Sequence, residues 1–270
     1  MKFDSMRAWN EAMALLRANR EALVALAGMF LFLPSFAAML LAPPPDAKGI
    51  TQFPQLAALY QGYMRENWPV LVTASLVVSI GTLAILALLA DRSRPTVADC
   101  VKAALKTLLP LVAAQILIGM ALILPAAILT GLAAATKLAA LVTLVLLGVI
   151  GVIAFVAVRV MLLTPVMIAE KRYNPVDALA RSWVLTKGQF WRLLAFFVLL
   201  MVAVTIVTGL IDAGVGMLVT LIGGDKAGEI ASGLISSLTG TASNLVYLAA
   251  LAASYRQLSG RPAETAQTFD

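Results

Sequence analysis

Six long stretches of this chain carry no charged side chain, and no soluble fold can bury that many. They occupy 22–45, 67–90, 107–136, 138–158, 193–211 and 230–255, which is 24, 24, 30, 21, 19 and 26 residues. A helix needs about 20 residues to cross about 30 Å of hydrocarbon. Each stretch reaches or nearly reaches that length. Soluble chains are about 45–50% apolar, whereas 61% of the 270 residues here are hydrophobic and the mean hydropathy is +0.94. Lipid must therefore solvate much of the surface. The reading is an all-α integral membrane protein with six transmembrane helices, at about 22–42, 69–90, 109–132, 139–161, 193–212 and 230–252. They form one domain over 1–256, followed by a short tail over 257–270. The N-terminal segment does not read as a cleaved signal: it carries Asp4, Glu11 and Glu21 among its bases, and its apolar run ends in Leu-Ala-Pro-Pro-Pro.

Basic residues alternate from one connection to the next. The N-terminus, second and fourth connections and C-terminus hold four, four, six and two Lys or Arg, sixteen in all. The other three connections hold two, one and one. The positive-inside rule puts both termini in the cytoplasm, as an even number of spans requires. A net charge of +6 is what a surface facing anionic lipid carries, so no nucleic acid is expected. The single Cys100 excludes an intramolecular disulfide, and the absence of histidine excludes histidine-held haem, His-containing zinc sites and a His general base. No cofactor, metal site or catalytic residue is expected.

Each cytoplasmic segment before a pair of spans reads as a short amphipathic elbow helix lying in the headgroup plane. The first presents Phe3, Met6, Trp9, Met13 and Leu16. The second, from about Thr96, presents Val97, Cys100, Val101 and Leu105. The third has Asn174 as N-cap, Pro175 at the first helical position, Asp177 in the first turn and Gly188 past the last. Its apolar stripe is Val176, Leu179, Ala180, Trp183 and Val184, and Phe190, Trp191 and Arg192 form a collar beyond it. Elbow then hairpin, three times over, suggests three related units of about 80 to 90 residues. On the opposite side, Tyr60, Tyr63 and Trp68 read as an interfacial belt. The connection 212–229, rich in glycine, either dips toward the membrane or extends the helices.

Two groups of residues bear on function. Arg159 either lies inside the membrane, with Glu170 or Asp177 as partner, or snorkels to headgroups near a break at Pro165. Ser232, Ser236, Gly240 and Asn244 stand four apart on the sixth span, beside Gly233, Ser237 and Thr241, and serve either helix packing or a polar cavity. Gln115, Ser75 and Ser79 could meet that face. Pro34 and Pro125 fall inside spans and can bend them.

The stretch containing Arg159, Pro165, Glu170 and then 174–192 (NPVDALARSWVLTKGQFWR) resembles the bacterial family named for the membrane domain of glycerophosphoryl diester phosphodiesterase, related to YciC-type inner-membrane proteins. Ala178, Ser182, Trp183, Leu185, Thr186, Gly188, Phe190 and Trp191 carry the likeness most specifically. The resemblance implies a multi-pass inner-membrane protein. It does not bring the phosphodiesterase reaction with it, since about 15 residues follow Tyr255 and there is no histidine.

The resulting expectation is a non-catalytic accessory or lipid-interacting envelope protein, with a transporter or channel for a small or amphiphilic solute as the alternative. Arg159, Glu170, Arg181, Trp183 and Arg192 are the expected headgroup or partner contacts, Arg181 and Arg192 holding the phosphate of an anionic phospholipid or an acidic partner. A protein partner or a homo-oligomer is compatible with the same surface.

Overall fold

A computed structural model describes residues 3–47, 49–90 and 96–260, with the side chains of 53, 220–227 and 229 left aside. The described chain is helical, without strands. In order it forms α1 (Ser5–Ala18), α2 (Arg20–Ala27), a π-helical turn (Gly28–Phe32), α3 (Leu33–Leu41), α4 (Phe53–Ala90), α5 (Val97–Ala135), α6 (Ala139–Val160), α7 (Leu163–Ala169), α8 (Pro175–Thr186) and α9 (Phe190–Leu258). Six segments are long and apolar enough to cross a membrane: Arg20–Leu41, Pro54–Ala90, Val97–Ala135, Ala139–Ala169, Phe190–Val219 and Ile230–Leu258. Each contains most of one of the six uncharged runs, and the second, third and fourth extend beyond theirs at one end by ten residues or more.

α9 contains the last two spans and folds back on itself. The Asp212 carboxylate accepts from Thr239 Oγ1 at 2.9 Å, and the Phe197 and Tyr247 rings lie 5.6 Å apart. The connection 212–229 therefore extends the helices. The two ends of the described chain meet as well: the Asp4 N–H donates to Gln257 Oε1 at 3.3 Å, and Gln257 Nε2 donates to the Asp4 carbonyl at 3.4 Å.

The core sits at the end where the termini meet, called here the terminus end. Every residue from Leu83 to Leu89 is buried, so the last two turns of α4 are enclosed on all sides. Around them lie Leu23, Leu26 and Leu31, Cys100 and Ala104, Leu162 to Ile168, Leu193, Phe196 and Phe197, and Leu248 to Ala253. Toward the far end most of the helix surface is apolar and exposed, as with Leu117, Ile123, Leu124, Ile128, Leu144, Leu147 and Ile150. Lipid tails solvate such surface as well as protein does, so nothing there forces the helices together.

Small residues set the closest approaches. Ala8 and Ala12 of α1 are fully buried, as are Ala249, Ala250, Ala252 and Ala253 of α9. At Gly81 of α4 a Cβ would overlap the Phe30 Cβ of the π turn. That turn precedes Pro34, whose missing N–H prevents a regular helical bond there; the Leu33 N–H instead reaches the Gly28 carbonyl.

Two expectations change. The second elbow is no separate helix: 97–106 are the first turns of α5, which is capped by the Thr96 hydroxyl on the Asp99 N–H. The run Val97 to Leu109 contains no glycine, asparagine or proline to end a helix. The first and third elbows do break, at Asn19 (φ −117°, ψ 19°) and at Gly188 (φ +75°), so the elbow-and-hairpin plan holds for the first and third units only. On both of these elbows part of the apolar stripe faces outward, as a helix in the headgroup plane allows. On α1, Met6 and Trp9 are exposed while Ala8 and Ala12 are buried. On α8, Val176, Trp183 and Val184 are exposed while Ala178, Ser182, Leu185 and Thr186 are buried.

Candidate functional site

The third elbow is built around the C-terminal end of α6. Pro165 lacks an N–H and crowds the preceding turn, and the helix stops at Val160 before resuming as α7. A stopped helix leaves carbonyls without helical donors. Ser182 donates to the Arg159 carbonyl at 2.8 Å, with Thr186 Oγ1 at 3.5 Å. α8 is presented for this by its own caps: Asn174 Oδ1 accepts from the Val176 N–H at 3.1 Å, and Gly188 takes the left-handed conformation expected of it.

The Arg159 guanidinium lies between two rings, 5.1 Å from the Phe155 centroid and 5.2 Å from that of Trp183. Its Nε and Nη1 are buried and have no hydrogen-bond partner. Cation–π contact contributes about 0.5–2 kcal/mol per ring, and an unmade hydrogen bond at a buried donor costs about 1–3 kcal/mol. The rings hold the charge without satisfying it. Phe155 had not been singled out; it stands one turn before Arg159, where helical neighbours meet. Phe190 extends the cluster, 5.3 Å from Phe155, and Trp191 lies 5.1 Å from Phe190.

Neither proposed carboxylate partners Arg159. Glu170 Oε2 accepts from Arg172 Nε at 2.8 Å, and its Oε1 accepts from Arg181 Nε at 3.0 Å and from the Tyr255 hydroxyl at 3.2 Å. Lys171, in the left-handed region at φ +53°, reverses the chain so that Arg172 turns back onto Glu170. Burial raises the Glu170 pKa, but hydrogen bonds from Arg181 and Arg172, the charge of Arg181 and the Tyr255 hydroxyl outweigh it and hold the carboxyl below its ordinary value. Asp177 is exposed and makes no ion pair with Arg159. Arg181, expected to hold a headgroup, is thus engaged inside the chain, joining α8 to α7 and α9. Arg192 is exposed beyond the aromatic collar. A second clasp went unforeseen: Arg256 donates to the Leu89 carbonyl at 2.6 Å and lies 3.6 Å from Glu11, tying α1, α4 and α9.

The small, polar face of the sixth span divides by one residue of rotation. Gly233, Ser237 and Thr241 are buried, and a Cβ at Gly233 would overlap the Met39 side chain. Together with Ser236, Gly240 and Asn244, which are less buried, they line a cleft of about 430 Å³ facing Ser35, Met39 and Tyr63 of the first two spans. Gly240 and Asn244 also line a cleft of about 500 Å³ on the fifth-span side, with Thr208 and Tyr247. Ser232 is half-buried and lines neither. Ser75 and Ser79 bond backbone carbonyls of their own helix, and Gln115 is exposed, so the facing polar group comes from Ser35 and Tyr63 instead. Asp212 receives Thr239 and, at 3.4 Å, Ser236. Pro125 lines a separate apolar cleft between the third and fourth spans, with Gly148.

Among the described residues no group of His, Cys, Asp and Glu is placed to hold a metal. Comparison with curated proteins and with solved structures returns no match. Residues 108–252, just over half of the chain, match the family described as the membrane domain of glycerophosphoryl diester phosphodiesterase, a match that takes in the whole third elbow, the Arg159 cluster and most of the sixth span. This six-span protein belongs to that membrane-domain family.

Proposed function

We propose that the protein is a non-catalytic, lipid-interacting component of the bacterial inner membrane, with both termini cytoplasmic and anionic phospholipid bound at the terminus end. The observation that carries this reading is the outward face of α8, where Val176, Trp183 and Val184 are 62%, 43% and 62% exposed. Arg172, Lys187 and Arg192 are exposed around it. Apolar side chains beside exposed bases suit a headgroup boundary, where each Lys or Arg near an anionic leaflet is attracted by about 1 kcal/mol. The sixteen-to-four distribution of bases supports the orientation.

A second reading, transport of an amphiphilic solute, is favoured by the cleft of about 430 Å³ along Ser236, Gly240 and Asn244. Extraction into native nanodiscs followed by lipid mass spectrometry tests the first reading. Anionic phospholipid enriched over the bulk membrane supports it, and bulk composition contradicts it. Solute flux into proteoliposomes that N244A abolishes would establish the second.

A further inference from the structure

We propose that Arg159, clamped between Phe155 and Trp183, is the binding site for the phosphate group of one anionic phospholipid. This rests on the lipid-interacting reading and names the group that does the binding. The 22 residues from Leu138 to Arg159 rise about 32 Å at about 1.5 Å per residue. One hydrocarbon thickness is about 30 Å, so a span that starts beside Lys137 delivers Arg159 to the level of the opposite headgroups.

The acceptors closest at hand are committed elsewhere and Asp177 does not reach the guanidinium. Both Glu170 oxygens are taken by Arg172, Arg181 and Tyr255, and the Arg159 carbonyl faces Ser182 and Thr186. The guanidinium has Nε and Nη1 unbonded. A guanidinium edge offers parallel N–H donors that match two phosphate oxygens, which a carboxylate-free aromatic clamp cannot supply from the protein itself. Arg159 is half-buried, and the rings beside it are themselves open to lipid, Trp183 at 43% and Phe155 at 38% exposure. A phosphate therefore reaches the guanidinium by a small movement of Trp183, with the acyl chains laid along Phe155 and the exposed apolar face of α6. Arg192 and Lys187, on the same elbow, add charge to the approach.

The test uses the full-length protein, delipidated in neutral detergent and titrated with short-chain phosphatidylglycerol under native mass spectrometry. One molecule should bind tightly, and R159Q should weaken it about tenfold, the loss of one charge-assisted pair. Unchanged affinity in R159Q overturns the site. Inorganic phosphate at millimolar concentration should not displace the lipid; full displacement overturns the lipid assignment in favour of a free phosphate. Should R159Q fail to fold, a phosphatidylglycerol with a photoreactive group near the headgroup, applied to the wild-type protein, decides the matter. Adducts on 155–159 and 183–191 support the proposal. Adducts confined to the far-end clefts overturn this site while leaving the lipid-interacting reading intact, and no bound phosphatidylglycerol at all overturns both.

Discussion

Ser182 holds the main-chain carbonyl of Arg159 at 2.8 Å, and through that one bond the elbow helix α8 is fixed against the broken end of α6. The same carbonyl belongs to the residue whose side chain lies against Trp183, so the bond sets the backbone from which the guanidinium hangs. The hydroxyl is fully buried, and Thr186 at 3.5 Å is a weaker substitute.

Replacing Ser182 by Ala should lower stability by about 1–2 kcal/mol, the cost of leaving a buried carbonyl poorly satisfied. Thermal unfolding in detergent reads this directly. S182A with an unaltered melting temperature would show that Thr186 alone suffices.

Glu170 gives a pH dependence with a definite sign. Its folded-state pKa lies below its ordinary value, so its contribution is complete above about pH 4.3, the usual glutamate value. It is lost as pH falls through the depressed value, because the unfolded chain then binds the proton more readily. E170Q should be less stable by about 1–3 kcal/mol at pH 7 and should lose part of the acid sensitivity between pH 5 and pH 3. Melting curves across that window check both, and parallel acid profiles for wild type and E170Q would contradict the assignment.

Gly81 sets the approach of α4 to the π turn. Gly81→Val would press a branched side chain onto Phe30 and should cost about 1–3 kcal/mol. Gly151→Ala, where nothing lies within 4 Å of the added carbon, should be neutral to slightly stabilising. Similar melting temperatures for the two variants would contradict this packing.

The spans were legible because twenty uncharged residues have few other uses in a chain. The caps at Asn174 and Gly188 were legible because they are local chemistry. Helix orientation was not. An apolar stripe marks the docked face in water, where burial drives packing; in lipid it can face out while small or hydroxyl-bearing residues face in, so the stripes left open which residues dock. Ala8 and Ala12, Ser182 and Thr186, and Gly233, Ser237 and Thr241 are the three instances here. Partner choice was hidden for a different reason. Glu170 stands eleven residues from either Arg159 or Arg181, so spacing could not choose between them, and the structure pairs it with the latter.

Orientation is tested by accessibility. Cys100 is buried, so the background is low. A cysteine at Lys137, in the turn between α5 and α6, should react with an impermeant thiol reagent in intact cells, whereas one at Ser259 should be protected until the membrane is opened. The reverse pattern would invert the topology.

Anionic phospholipid bound as proposed should stabilise the fold, because a ligand that binds only the folded state raises its stability. At a hundredfold excess over the dissociation constant the gain is about 2.7 kcal/mol, which is several degrees for a chain of this size. The direct measurement is the melting temperature of the wild-type protein in nanodiscs of phosphatidylcholine alone and of phosphatidylcholine with phosphatidylglycerol. A rise of several degrees with the anionic lipid, reduced by salt less than a surface attraction would be, is the predicted result. Equal melting temperatures in the two lipids would contradict the account.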